Sequence, residues 1–302
     1  MSDTLVPDSE HRGVARLPAV ARDLVQLARL DRPIGAWLLF WPGAWAIALS
    51  GQAIARWDLL LWFALGAVAM RGAGCVYNDI VDRDLDRRVA RTAARPLASG
   101  RLSLKLAWAW LGLLSLIGLV VLLRLERPAQ IVALASIAPV AAYPFMKRIT
   151  WWPQAWLGIV FSWAALVGWP AATGGFAPAM AWLYAGSIGW VIGYDTIYAL
   201  QDLEDDALAG VKSSARALGS HARGGVAGFY AAALACWGIA LWQVRPEPLA
   251  LAGLLPMGAH LAWQVAGLRV ENPADALARF RSNRFAGLLM FLACAVVGAA
   301  SA

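Results

Sequence analysis

Residues 78 to 88 read NDIVDRDLDRR, four acids and three bases in eleven positions, shortly after the apolar run LLLWFALGAVAM. If a helix continues through them, Asn78, Asp82 and Asp86 recur every four residues and share one face, each about 40° around from the last. That face is a column of oxygen donors. Magnesium prefers hard oxygen ligands and is often held by one or two carboxylates together with substrate phosphates. Taken alone, the column reads equally well as the solvated end of a helix.

A second stretch makes the solvated reading weaker. Residues 195 to 206 read DTIYALQDLEDD, so Asp195, Tyr198, Asp202 and Asp206 again share a helical face. A shift of 120 positions lays Asp82 on Asp202, Asp86 on Asp206 and Asn78 on Tyr198, which hints at an internal duplication. Two carboxylate columns at one membrane surface would repel each other unless cations lay between them. Bases follow both stretches: Arg87, Arg88, Arg91, Arg95 and Arg101 after the first, Lys212 and Arg216 after the second. Guanidinium forks and ammonium groups grip phosphate oxygens, so carboxylates with cations beside them suggest a metal-bound diphosphate. Each base also reads as an ordinary positive loop residue. Arg71, seven residues before Asn78, faces the same way about two turns deeper. A guanidinium inside an apolar span needs a partner. Either a structural acid satisfies it or it receives the anionic group of a second substrate.

The elements that must position these groups are membrane helices. Of 302 residues, 60% are hydrophobic and 15% charged, with a mean hydropathy of +0.58, which excludes an ordinary soluble domain. Nine apolar stretches could cross a bilayer: 33–51, 58–80, 104–123, 128–146, 152–172, 178–201, 222–243, 248–268 and 283–301. Threading them alternately leaves only Arg56, Arg124, Arg127 and Arg245 on one side, with Arg71 inside a span; every other Lys and Arg lies opposite. By the positive-inside rule the N-terminus and both acidic stretches are cytoplasmic, as expected of a multi-pass protein of the cell inner membrane. The +7 charge is then accounted for by topology and anionic headgroups or substrates, not nucleic acid. Residues 1–31 carry Asp3, Asp8 and Glu10 and no apolar core, so they read as a cytosolic or interfacial lead-in to a membrane domain over 32–302. Cys75, Cys236 and Cys294, like His11, His221 and His260, are too scattered for a disulfide framework or zinc site. Trp151 and Trp152 read as interfacial anchors. Nothing in the sequence sets an oligomeric state.

NDIVDRDLD resembles the NDxxDxxxD signature of the UbiA superfamily of intramembrane prenyltransferases, and DTIYALQDLEDD resembles its second acidic signature. RLDRPIGAWLLFWPGAW, MRGAGCVYND, RTAARPLASG, YPFMKRITWWPQ and GVKSSA are similar to the 4-hydroxybenzoate polyprenyltransferase branch, from about residue 29 to 284. The resemblance implies an all-α protein with nine transmembrane helices around a central cavity, capped by cytosolic loops. It implies Mg²⁺ on Asn78, Asp82, Asp86, Asp202 and Asp206, supported by Asp79 and Asp195, with Arg87, Arg91 and Lys212 on a polyprenyl diphosphate. The acceptor implied is 4-hydroxybenzoate, alkylated ortho to its hydroxyl in an early membrane step of ubiquinone biosynthesis. Arg71 is the first choice for its carboxylate, then Arg148, with Arg32 also possible. Tyr198 would orient the diphosphate or face the cation, and Asp195 is a candidate for the ring proton. Other acceptors of the superfamily (homogentisate, dihydroxynaphthoate, haem or a chlorophyllide) remain rivals, as does a membrane transporter.

Overall fold

The structure, a computed structural model, describes residues 12–88, 90–203 and 210–301, without the side chains of Arg12, Ala15, Ala90, Arg91 and Asp202. All its regular elements are helical. The principal helices are α1 (Ala19–Leu27), α2 (Ile34–Leu49), α3 (Trp57–Val81), α4 (Leu104–Leu122), α5 (Arg127–Ala135) and α6 (Ile137–Ile149). They continue with α7 (Pro153–Thr173), α8 (Pro178–Ala199), α9 (Ala222–Val244), α10 (Leu255–Ala266) and α11 (Pro273–Ala299).

Their ends follow local chemistry. Ser103 caps α4 by accepting from the Leu106 amide at 3.2 Å, and Asn272 caps α11 at the Asp275 amide. Gly174, at φ 73°, closes α7. The expected span 128–146 is two helices, α5 and α6, because the Pro139 ring crowds the carbonyl four residues back, where α5 ends. Pro256 divides the expected span 248–268 in the same way, between Pro248–Ala252 and α10.

Among the described residues seven stretches are long and apolar enough to cross a membrane, so the protein is multi-pass. Two of the nine expected spans fall outside that set. α2 has only 16 residues, about 24 Å against a hydrocarbon core of about 30 Å. α8 has 22 residues, but Tyr184, Ser187, Tyr194, Asp195 and Thr196 dilute its apolar character. Leu113, Leu116 and Leu119 of α4 are exposed, as are Ile131, Leu134 and Ile137 of α5 and the start of α6, and apolar side chains so exposed suit contact with acyl chains.

The chain forms two compact units, Met1–Trp37 with Ala64–Leu123, and Leu38–Phe63 with Arg124–Ala302. The first centres on Leu27, Ala28, Ala73, Val76, Leu97, Leu102 and Leu114. Gly72 permits close approach there, since a Cβ would stand 3.3 Å from that of Ala28 and 3.2 Å from Leu114. In the second unit α8 packs chiefly against α9 and α7 around the fully buried Trp45, Trp190, Trp237 and Tyr194.

Candidate active site

In the first unit the acidic column is broken and yet keeps its register. α3 stops at Val81, and Asp82, at φ −94° and ψ 2°, leads a single new turn over Arg83–Asp86. The expectation of one continuous helix is corrected accordingly. The amide of Asp82 still donates to Asn78 O at 2.9 Å and that of Asp86 to Asp82 O at 2.8 Å. These four-residue steps keep Asn78, Asp82 and Asp86 in succession across the break. Asp79, Asp82 and Asp86 are buried, and Asn78 is half-buried.

Buried carboxylates need compensation, and arginines supply it. Arg29 Nη2 donates to both oxygens of Asp79, at 2.8 and 3.0 Å. Arg95 Nη1 reaches Asp79 Oδ1 at 3.1 Å and Asp86 Oδ2 at 2.8 Å. Arg29 has the one positive φ of a non-glycine among the described residues, 57°. From there its Nη1 also donates to Gln26 O and Leu27 O, each at 3.0 Å, covering the last carbonyls of α1. Burial works against the Arg29 charge, but the Asp79 carboxylate, helped by Cys75 and Asp31, holds it protonated above its ordinary range. Arg101 ties the loop to Asp23 of α1 at 3.0 Å, so part of the supposed lead-in is built into this unit.

The other sequence candidates here are distributed as follows. Arg87 is exposed, donates to Ala98 O at 3.1 Å and lies 3.5 Å from Asp84. Arg32 leans on the buried Asp31 at 3.5 Å. Arg71 is half-buried, with Nη1 2.6 Å from Cys75 Sγ. The side chain of Arg91 lies outside the description.

In the second unit α8 ends at Ala199 and tightens into a 3₁₀ turn, Leu200–Asp202. The four-residue face expected to run on from Asp195 and Tyr198 therefore does not continue as α-helix to Asp202. The Asp202 side chain and all of Asp206 lie outside the described residues. Asp195 and Tyr198 are half-buried, and the Tyr198 ring lies 4.5 Å from that of Phe280. Downstream, Lys212 Nζ donates to Ile149 O at 3.2 Å. It and Arg216 lie over the Trp151 ring, at 5.9 and 5.3 Å from its centroid. Ser214 joins the segment to α7 through Gln154, at 2.9 Å, and to α8 through Thr196, at 2.7 Å. Arg148 is exposed, 6.0 Å from the Phe145 ring.

The donors of the first unit are oxygens throughout. Asp79 is engaged on both oxygens by Arg29 and Asp86 on one by Arg95; Asn78, Asp82 and Asp86 present an amide and two carboxylates, oxygen donors of the kind magnesium takes together with phosphate. Among the described residues no three His, Cys, Asp or Glu side chains form a ready-made metal cluster. Arg95 was offered by the sequence as a phosphate-binding base, but the pairing of Arg29 and Arg95 with Asp79 had no signal, because partners 50 and 16 residues apart follow no helical period. Trp151 had only its position at a span end as a signal, and the contacts with Lys212 and Arg216 were not readable from it.

Residues 39–295 match the UbiA prenyltransferase family. The "4-hydroxybenzoate polyprenyltransferase, mitochondrial" of Drosophila melanogaster is 42% identical over 289 residues, 95% of this chain and 74% of that protein. Its namesake in Bos taurus is 43% identical over 281 residues, 91% of this chain and 75% of that protein. Among solved structures, the apo UbiA homologue of Aeropyrum pernix K1 gives a TM-score of 0.70 at 26% identity, covering 86% of this chain and 97% of that one. A UbiA homologue of Archaeoglobus fulgidus bound to GPP and Mg²⁺ gives 0.67 at 16% identity, covering 91% and 99%, a likeness of fold.

Proposed function

The chain belongs to the UbiA prenyltransferase family, and from that premise we propose that it transfers a polyprenyl group from polyprenyl diphosphate to the carbon ortho to the hydroxyl of 4-hydroxybenzoate. The observation that carries this reading is the similarity, over nearly the whole chain, to proteins named for that reaction. The buried, arginine-flanked oxygen column supplies the chemistry that reading needs. The step belongs to ubiquinone biosynthesis.

Each acidic stretch would contribute magnesium ligands: Asn78, Asp82 and Asp86 from the first, Asp202 and Asp206 from the second, with Asp79 and Asp195 supporting them. Mg²⁺ held by them would supply positive charge to offset that of the departing diphosphate. Arg87, Arg91 and Lys212 hold the remaining phosphate oxygens. The allylic C–O bond breaks with its electron pair leaving on the diphosphate, and Tyr198 faces the resulting cation. Low-dielectric walls keep water from the cation. The ring carbon ortho to the phenol oxygen forms the new C–C bond, and the proton it loses passes to Asp195. Arg71 binds the acceptor carboxylate, ahead of Arg148 and Arg32, since its depth in α3 offers a dry site for one anion. We take residues 32–302 as the transferase domain, with 1–31 leading in from the cytosol. We place the protein in the cell inner membrane, with the basic side cytoplasmic. The two relatives described are mitochondrial by name, and fractionation of the source cells distinguishes the two membranes.

The acceptor is tested by competition. Membranes containing the chain, given polyprenyl diphosphate, Mg²⁺ and equal amounts of 4-hydroxybenzoate, homogentisate and dihydroxynaphthoate, are expected to yield the prenylated hydroxybenzoate by mass spectrometry. A dominant product from either other ring overturns the acceptor assignment and leaves the family membership standing.

A further inference from the structure

The acceptor site of the proposed transferase needs more than a guanidinium; it needs one held at a fixed depth. Arg71 has a long side chain with several rotatable bonds, and a carboxylate received by a wandering fork would place the ring poorly. Two features of the first unit restrict it. Its Nη1 rests on Cys75 Sγ at 2.6 Å, one helical turn on. Its middle lies against the backbone of α2 at Gly35, where a Cβ would stand 2.5 Å from Nε and 3.4 Å from Cδ and Cζ. Gly35 needs no unusual backbone, for it sits in the first turn of a helix whose other early residues are Ile34, Ala36 and Trp37. A glycine costs helix stability there, and the space it leaves is filled by Arg71.

We propose that Gly35 and Cys75 are positioning residues that fix the depth and direction of Arg71 and so select for a carboxylate-bearing acceptor. The inference rests on the reading of Arg71 as the carboxylate receptor. Neither residue touches the reacting atoms; both act through the guanidinium. Because the group that a new Cβ would meet is a flexible side chain and not backbone, Gly35→Ala displaces Arg71 and leaves the helix in place.

The test separates positioning from folding. In membranes carrying wild type, Gly35→Ala, Cys75→Ser, Cys75→Val and Arg71→Ala, KM is measured for 4-hydroxybenzoate and for the polyprenyl diphosphate, together with turnover of the uncharged methyl ester of the acceptor. In detergent, the rise in melting temperature on adding 4-hydroxybenzoate alone reports binding without catalysis. Gly35→Ala and Cys75→Val are expected to raise the acceptor KM by about tenfold, the scale of one charge-assisted hydrogen bond. They should also reduce the preference for the acid over its ester and shrink the ligand-induced shift, with the diphosphate KM and ligand-free melting temperature unchanged. Cys75→Ser, which keeps an acceptor atom, should stay near wild type. If Arg71→Ala raises the acceptor KM but Gly35→Ala and Cys75→Val do not, the positioning role is overturned alone. If Arg71→Ala also leaves it unchanged, the carboxylate assignment falls and takes this inference with it.

Discussion

The two acidic stretches repeat one spacing, but the described residues around them are held by different contacts. In the first unit the charge is balanced at short range: Arg29 and Arg95 share Asp79, and Arg95 also holds Asp86. In the second, the residues beside the acids are held by rings and neutral hydrogen bonds. Tyr198 lies on Phe280, Ser214 joins Gln154 and Thr196, and the nearby cations rest on Trp151. A fixed guanidinium offsets the cost of burying a carboxylate inside the structure. Asp79, paired with both Arg29 and Arg95, is accordingly a brace, and Asp86 shares Arg95 with it. Lys212 and Arg216 over Trp151 also donate to the backbone carbonyls of Ile149 and Val211.

This contrast is tested most severely at the proposed magnesium ligands. Asp82→Asn is expected to lower turnover at least a thousandfold in folded protein, in line with loss of electrostatic stabilisation at the reacting centre. Near-normal rates at saturating Mg²⁺ would remove Asp82 from the ligand set. Next comes the brace. Arg29→Ala leaves the buried Asp79 with less compensation and should cost about 3–5 kcal/mol of stability, read as a lowered melting temperature in detergent. Adding Asp79→Ala in the same chain should recover much of that loss, because the unpaired charge goes with it. No recovery would mean that Arg29 matters only for the α1 carbonyls it covers. The smallest effect belongs to the aromatic support in the second unit. Trp151→Ala removes two cation–π contacts of about 0.5–1 kcal/mol each and should raise the diphosphate KM severalfold while leaving the acceptor KM alone. An unchanged diphosphate KM would return Trp151 to interfacial anchoring.

Helix placement was largely legible because hydrophobic runs of bilayer length are a long-range pattern, and every expected span meets a helix. Breaks within spans were not, although their cause is local: Pro139 and Pro256 act on the carbonyl four residues back. The acidic residues were visible from spacing alone, but the end of α3 at Val81 was not, since the four-residue hydrogen bonds persist through Asp82. Arg29 looked like one more positive loop residue. Its importance arises from a left-handed backbone and a partner on another helix, neither of which has a sequence period. Gly35 did carry a signal, a glycine among bulky residues opening a helix, which marks close approach. The sequence could not say that the group approaching was Arg71.

The most direct measurement of the central claim uses membranes from cells expressing the chain, supplied with radiolabelled 4-hydroxybenzoate, a long-chain polyprenyl diphosphate and Mg²⁺, with EDTA and Asp82→Asn as controls. The account predicts a lipid-soluble labelled product that disappears in both controls. Product formed undiminished in EDTA or by Asp82→Asn, or no product from folded wild-type protein, would contradict it.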